Sequence, residues 1–410
     1  MLLLLLLQLL PSALASLPAP STLVRLDHPR AKCIDGSPGV FYLSPGSNKT
    51  AFLFHLQGGG WCQTLDECSE RAKGPLGSSR GYGPTMDLRT VDPPPTAPGG
   101  HDQFDRDCAI NPLMCNWTYV YLPYCDGQSF AGDATGASVR GGVPVELHFR
   151  GKQILRSAVD ALKADAEANL GGATHVVVTG CSAGGAATLF HTDWFAAQVP
   201  GAMTRGMPDS GWFLDGAYAR DGKEGYGGRM SNLYRMANVS AGLPPACTAV
   251  RGEKCLFAET VMPFIKTPVF VINSKFDASM APGAYARSDG KLGKYTCAEY
   301  MQDTAHGCDA TGMNDFGDYI TATMKKLLRP PHGAYLDSCY RHCGQCTDQL
   351  GGHGLGALSP LAAFKLWFET GSLHPAAADN FLDQGMPFPC DDCCRKTGEP
   401  KVAAEEQHVV

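Results

Sequence analysis

The sequence predicts an α/β fold, in which helices flank a mostly parallel sheet and long loops are inserted between the elements. Three short apolar segments, 51–56, 117–122 and 174–179, have the β-branched and aromatic content of buried strands. A helical pattern over 152–170 precedes the third of them, and an Ala-rich helical run over 185–199 follows it. A further strand is predicted at 267–273. Alternation of strands and helices is typical of a parallel sheet covered on both faces.

The most informative motif connects the third strand to the helix that follows it. Gly180-Cys181-Ser182-Ala183-Gly184 is a G-x-S-x-G sequence, and the small residues around the serine permit a sharp strand-to-helix turn. This context predicts the nucleophile elbow of an α/β-hydrolase-like fold, with Ser182 as the nucleophile. The alternative is an ordinary glycine-rich connection between a strand and a helix.

A serine nucleophile needs a histidine base and a carboxylate that orients the histidine, and in this fold the acid and then the base follow the serine. Asp277 is the strongest candidate for the acid because it directly follows the predicted strand at 267–273. The competing acids, for which a capping or solvated role is favoured, are Asp215, Asp309 and Asp315. The candidate bases are His306, His332, His342, His353, His374 and His408. His342 is favoured because flanking cysteines can hold its loop in place.

An oxyanion hole needs backbone N–H groups directed at the developing negative charge. Ala183 follows the nucleophile and opens the next helix, so its N–H is one expected donor. Gly60 and Trp61 are the other candidates, because three glycines end an early strand there. The alternatives are a plain tight turn for the glycines and a core position for Trp61.

Length and charge restrict the class of protein. The chain has 410 residues, of which 44% are hydrophobic, and a net charge of −6 without a long basic run. These values predict a large globular protein that does not bind nucleic acid. We expect a signal peptide at 1–15, one esterase domain at 16–395 and a polar tail at 396–410. The leader lacks Lys and Arg, so a membrane anchor is the alternative, although no stable membrane insertion is expected.

The seventeen cysteines indicate an oxidising compartment in which most are paired. Because the count is odd, at least one thiol is unpaired, and we expect it to be Cys181, beside the nucleophile at the end of a buried strand. Cys339, His342, Cys343 and Cys346 have spacings found in zinc sites, but disulfides are the favoured use and no metal is expected. Sequons begin at Asn48, Asn116 and Asn238, consistent with secretion.

Six motifs stand out along the chain. They are Leu56-Gln57-Gly58-Gly59-Gly60-Trp61-Cys62, Tyr124-Cys125-Asp126-Gly127-Gln128-Ser129-Phe130-Ala131-Gly132-Asp133, Gly180-Cys181-Ser182-Ala183-Gly184-Gly185, Asp209-Ser210-Gly211-Trp212-Phe213-Leu214-Asp215, Asn273-Ser274-Lys275-Phe276-Asp277 and Ser338-Cys339-Tyr340-Arg341-His342-Cys343. In these motifs and their order, the chain resembles the plant pectin acetylesterase family, which is related to the animal Wnt deacylase Notum, from about Asp35 to about Pro389. The resemblance implies Ser182 as nucleophile, Asp277 as acid, His342 as base and the Gly-Gly-Gly-Trp segment as oxyanion loop.

The family pattern differs from this sequence at two places. Gln57 stands where the plant pattern usually has Glu, and Ala278-Ser279-Met280 replaces the usual Trp-Gln ending after the acid. Both differences bear on the acyl group that is accepted more than on the triad.

The first functional hypothesis is a secreted serine carboxylesterase that removes O-acetyl groups from a cell-wall polysaccharide, pectin by resemblance, through an acetyl-enzyme. The second is a Notum-like deacylase that removes a fatty acyl group from a protein. The third is a secreted carbohydrate-binding protein without turnover. We expect a monomer without a cofactor, outside the cell or in the cell wall, with acetylated polysaccharide as its partner.

Overall fold

The computed structural model describes residues 20–90, 102–140, 142–215, 226–280, 310–343, 358–373 and 380–390. The strands are β1 (Ser21–Arg25), β2 (Val40–Ser44), β3 (Asn48–Leu56), β4 (Thr85–Met86), β5 (Trp117–Leu122), β6 (Ala134–Arg140), β7 (Val143–Phe149), β8 (His175–Cys181), β9 (Met203–Asp209), β10 (Phe270–Ser274), β11 (Gly333–Asp337) and β12 (Phe381–Asp383). The α-helices are α1 (Leu65–Arg71), α2 (Gly151–Ala164), α3 (Ala183–Gln198), α4 (Tyr226–Met236), α5 (Pro245–Arg251), α6 (Ala258–Val261), α7 (Ala310–Leu327) and α8 (Pro360–Thr370). The predicted signal peptide and C-terminal tail lie outside the described residues.

One large sheet organises the described part of the chain. Its ten strands follow the order β12-β11-β10-β9-β8-β3-β5-β2-β1-β4. From β12 to β5 all neighbours are parallel, whereas β2, β1 and β4 are joined by antiparallel pairing. β6 and β7 form a separate antiparallel hairpin. The mixed, mostly parallel sheet confirms the predicted α/β-hydrolase-like class.

The predicted elements lie close to the observed ones. β5 has the predicted limits, and β8 begins one residue later than expected and ends at Cys181. The helix predicted over 152–170 ends earlier, at Ala164, because Asp165 takes an extended conformation and a 3₁₀ turn occupies Leu170–Gly172. The long connection between α1 and β5 contains the short strand β4.

The core lies on both faces of the sheet, as a buried parallel sheet requires. On one face, Val176 and Val178 of β8 pack with Leu155 and Val159 of α2. On the other face, Val177 packs in the cluster that contains Trp367 of α8. Successive side chains of a strand point to opposite faces, so β8 is held from both sides and its carboxyl end has a fixed position.

No helix among the described ranges has the length and apolar character needed to cross a membrane.

Close backbone contact next to Ser182 requires glycine. A Cβ built on Gly184 lies 1.9 Å from the Leu56 carbonyl oxygen, and one on Gly180 lies 2.3 Å from the same atom. The end of β3 therefore presses directly on the turn between β8 and α3.

We predict that Gly184→Ala lowers the free energy of unfolding by at least about 1–3 kcal/mol, because the added methyl collides with a backbone atom that cannot move easily. The measurement is denaturant unfolding. Gly201→Ala is the matched control, since a Cβ there meets nothing within 4 Å, and it should change stability little. Equal stability of both variants and the unsubstituted protein would contradict the close contact.

Candidate active site

Ser182 occupies a strained turn between β8 and α3. Its backbone has φ 59° and ψ −124°, a region that a non-glycine residue rarely adopts. The Ser182 N–H donates to the Asp209 carbonyl oxygen of β9 at 3.0 Å, and the Ser182 carbonyl oxygen accepts from Ala186 at 2.9 Å. Such a conformation costs on the order of 1–3 kcal/mol and persists where the surroundings enforce it. The geometry is that of a nucleophile elbow, in which the serine is raised above the sheet edge.

Asp277 and His342 come together above the carboxyl ends of β10 and β11. His342 Nδ1 lies 2.8 Å from Asp277 Oδ1 and 3.0 Å from Oδ2, and both side chains are buried. Asp277 Oδ1 also accepts the backbone N–H groups of Ser279 at 2.9 Å and Met280 at 3.2 Å. These donors hold the carboxylate still, so it can fix the orientation of the imidazole.

The pKa of His342 is raised. Burial alone would lower this pKa, but the charge and hydrogen bond of Asp277 outweigh it, and the charge of Asp209 adds to them. A buried imidazole paired in this way accepts a proton more readily than a free one.

Nε2 of His342 is buried and makes no hydrogen bond within the described part of the chain, Ser182 Oγ included. Catalytic hydrogen bonds are often long in structures without substrate. The ring thus has one nitrogen committed to Asp277 and the other available for a proton.

A disulfide between Cys181 and Cys343 links the residue before Ser182 to the residue after His342, with 5.7 Å between the Cα atoms. The prediction of a free Cys181 is therefore wrong. The end of a buried strand has room for a bridge because the partner comes from a loop above the sheet edge, 162 residues along the chain. Each cysteine within the described ranges is disulfide-bonded.

The glycine segment after β3 runs beside the elbow. A Cβ on Gly58 would lie 2.1 Å from the Cys181 carbonyl oxygen and 3.1 Å from Ser182 Cβ. Arg71 Nη2 donates to the Gly59 carbonyl oxygen at 2.8 Å, which helps to hold the segment. Gly60 has φ 65°, a conformation favoured by glycine. The Gly60–Trp61 backbone thus begins two residues after Gly58, the glycine that lies beside Ser182.

Ser129 connects Trp61 to the start of α3. Trp61 Nε1 donates to Ser129 Oγ at 2.8 Å, and Ser129 Oγ donates to the Ala183 carbonyl oxygen at 2.8 Å. The Trp61 ring also packs edge-on against Phe213, with 4.8 Å between centroids. Trp61 and Ala183, two of the three predicted oxyanion residues, therefore share one support. The N–H groups of the first helical turn have no partner within the helix, which suits Ala183 to an oxyanion.

Two further buried carboxyls, Asp209 and Asp337, lie at the ends of β9 and β11. Burial raises the pKa of Asp209 to about 7, against the opposing effects of Ser210, Arg341 and His342. Burial also raises the pKa of Asp337, although Arg341 acts against it. The sequence analysis assigned no role to either residue. Asp209 stands in one of the family motifs, and that position is the one signal that could have singled it out.

The competing candidates that the structure describes lie elsewhere. Asp215 pairs with Lys254 at 2.6 Å, and Asp315 is exposed on α7. His332 precedes β11, at the opposite edge of the sheet, where its Nδ1 accepts from the Val269 N–H at 3.2 Å. The remaining candidates, Asp309, His306, His353, His374 and His408, lie outside the described residues.

The two departures from the family pattern have structural roles. Gln57 Oε1 accepts the Tyr124 N–H at 2.8 Å, a contact that connects the loops after β3 and β5. Ala278 N–H donates to the Arg341 carbonyl oxygen at 3.1 Å and so joins the acid loop to the base loop. Met280 is buried in the core.

The cysteine cluster around His342 contains disulfide-bonded Cys339 and Cys343, while Cys346 lies outside the described residues. Among the described residues there is no group of three or more His, Cys, Asp and Glu side chains that could hold a metal ion.

Comparison with known proteins gives consistent results. The pectinacetylesterase family model matches residues 14–395. Pectin acetylesterase 7 of Arabidopsis thaliana is 30% identical over 329 residues, covering 76% of each chain, and pectin acetylesterase 5 of the same plant is 28% identical over 383 residues, covering 89% of this chain and 82% of its own. Human palmitoleoyl-protein carboxylesterase NOTUM is 28% identical over 258 residues, which are 60% of this chain and 48% of NOTUM. The chain belongs to the pectinacetylesterase family.

Proposed function

We propose that this protein is a serine carboxylesterase in which Ser182, His342 and Asp277 act as nucleophile, base and acid. The observation that carries the proposal is the buried Asp277–His342 hydrogen bond, in a loop joined by a disulfide to the residue before Ser182. An aspartate-held histidine at the same sheet edge as a strained, raised serine is the arrangement that can activate a hydroxyl nucleophile.

In the first step, Ser182 Oγ attacks the ester carbonyl carbon while His342 Nε2 takes the hydroxyl proton. The tetrahedral intermediate collapses when the bond between the carbonyl carbon and the alcohol oxygen breaks, and the imidazolium returns the proton to the departing alcohol. Asp277 stabilises the imidazolium and stays ionised. The product of this step is an acyl-Ser182.

In the second step, a water molecule loses a proton to His342 and attacks the acyl-enzyme. Collapse releases the carboxylic acid and returns the proton to Ser182 Oγ. In both steps the negative charge on the carbonyl oxygen is stabilised by the backbone N–H groups of Gly60, Trp61 and Ala183.

The substrate we propose is acetylated pectin, because two plant relatives that align with 76% and 89% of this chain are named as pectin acetylesterases. The leaving alcohol is then a sugar hydroxyl and the product acid is acetate. We propose that the protein works as a monomer. The disulfides support a secreted, extracellular or cell-wall setting. We propose no metal and no cofactor, because each step uses groups that the chain itself carries.

Single substitutions in the proposed triad should abolish turnover without unfolding the protein. Ser182→Ala, Asp277→Asn and His342→Ala should each lower kcat by roughly 10⁴-fold. The measurement is acetate release from acetylated pectin. His332→Ala is the matched control, because this histidine lies at the opposite sheet edge, and it should keep near-native kcat. Near-native turnover by Ser182→Ala would refute the mechanism, whereas absence of turnover in the unsubstituted protein would favour the carbohydrate-binding alternative.

The acid limb of the pH profile should report the proposed base. Turnover needs neutral His342, and the pKa of this histidine is raised above its ordinary 6.5, so kcat/KM should fall as pH drops through a value above 6.5. Assay at a common pH after incubation at each test pH controls for acid inactivation. A limb well below 6.5 would contradict the Asp277 pairing.

Acyl chain length should separate the acetyl reading from a fatty deacylase. An acetyl group needs a shallow site, whereas a long chain gains roughly 0.8 kcal/mol per buried methylene and needs a deep apolar cavity. We expect kcat/KM to fall from acetate to butyrate to octanoate p-nitrophenyl esters, with Ser182→Ala as the blank. A rise through octanoate would instead favour a deacylase like the one for which NOTUM is named.

A further inference from the structure

Cys343 is held through both its side chain and its backbone. Its sulfur is bonded to Cys181, and its backbone N–H donates to Ser210 Oγ at 3.0 Å. His342 is the preceding residue. The backbone that carries the proposed base is therefore anchored within one residue of the imidazole.

Both anchors lead to the nucleophile. Cys181 immediately precedes Ser182. Ser210 immediately follows Asp209, whose carbonyl oxygen accepts the Ser182 N–H at 3.0 Å, and Ser210 Oγ donates to Asp209 Oδ1 at 3.0 Å. One anchor is covalent and the other is a short hydrogen-bonded path, and each connects the base loop to the elbow.

The three residues at these junctions share an uncommon backbone conformation. Ser182, Ser210 and Cys343 have φ values of 59°, 47° and 67°. Non-glycine residues occupy the left-handed region where the surroundings enforce it, and it concentrates at functional sites. A positive φ at three residues along these two connections indicates that the junction itself is under constraint.

The Asp277 hydrogen bond does not provide this connection. It fixes the imidazole relative to the loop after β10, whereas Ser182 lies at the end of β8, with β9 between the two strands. Proton transfer requires Nε2 to lie near Ser182 Oγ, so the base loop must also be placed relative to β8.

We propose that Cys343 is the positioning residue of the active site: its disulfide to Cys181 and its hydrogen bond to Ser210 hold His342 in reach of Ser182. This inference rests on the proposed function. Misplacement of a reacting group by about 1 Å can reduce a rate roughly 100-fold, so loss of an anchor should be visible in kcat.

The test compares three variants of the full chain. They are the double variant Cys181→Ala with Cys343→Ala, the single variant Ser210→Ala, and the triple variant that combines these substitutions. The paired cysteine variant should lose about 10–100-fold in kcat while KM changes less than about threefold, because substrate contacts stay in place. Ser210→Ala keeps the disulfide and should lose less. The triple variant should be the slowest.

Cys108→Ala with Cys115→Ala is the matched control. That disulfide precedes β5, at the opposite edge of the sheet, so its removal should leave kcat nearly unchanged. All assays run well below the melting temperature of each variant, and near-UV circular dichroism measures the folded fraction to which kcat refers.

Ser210→Gly keeps the test informative if the cysteine variant does not fold. Glycine relaxes the left-handed backbone but removes the hydroxyl, so it should lose kcat as Ser210→Ala does without losing stability.

The inference is overturned if the anchor variants keep kcat within twofold of the unsubstituted protein, or if the control loses as much. In that case an inactive Ser182→Ala leaves the proposed function standing. An active Ser182→Ala removes the proposed function itself, whatever the anchor variants do.

Discussion

The hydrogen bond between Asp277 and His342 is the interaction on which the rest of the proposed active site depends. It orients a buried imidazole, and it is possible because β10 and β11 are adjacent parallel strands whose carboxyl ends meet at one edge. β8 ends at the same edge two strands from β10, which brings Ser182 to the same side. The strand order thus determines which loops meet at this edge. The contacts between those loops determine how closely their side chains approach one another.

Burial shapes the electrostatics of this edge. Asp209 and Asp337 are buried there with raised pKa values, and Asp209 contributes to the raised pKa of His342. Arg341 Nη2 lies 3.7 Å from Asp337 Oδ2, and the charge of Arg341 acts to lower the pKa of both carboxyls. A base surrounded by acceptors holds a proton well, which favours the imidazolium formed during acyl transfer.

The sequence predicts those elements whose structure is determined by the local composition of the chain. The apolar run of β5 and the small residues around Ser182 each determine a local structure, so these elements lie where the pattern predicts. The pairing of Cys181 depends on a loop 162 residues away, and an odd cysteine count carries no information about it. β9 was not predicted because Gly206 and Pro208 interrupt its apolar pattern, and the contacts of Asp209 and Ser210 were therefore missed as well. Such contacts arise only when distant strands pair.

The acyl-enzyme is the most direct test of the account. Wild-type protein mixed with acetylated pectin and quenched in acid should carry one acetyl group on the peptide that contains Ser182, detected by mass spectrometry. His342→Ala should not accumulate this adduct, because its serine is not activated. Acetate release without an adduct on that peptide would contradict Ser182 as the nucleophile. An adduct on a different residue, lost together with turnover when that residue is substituted, would contradict it as well.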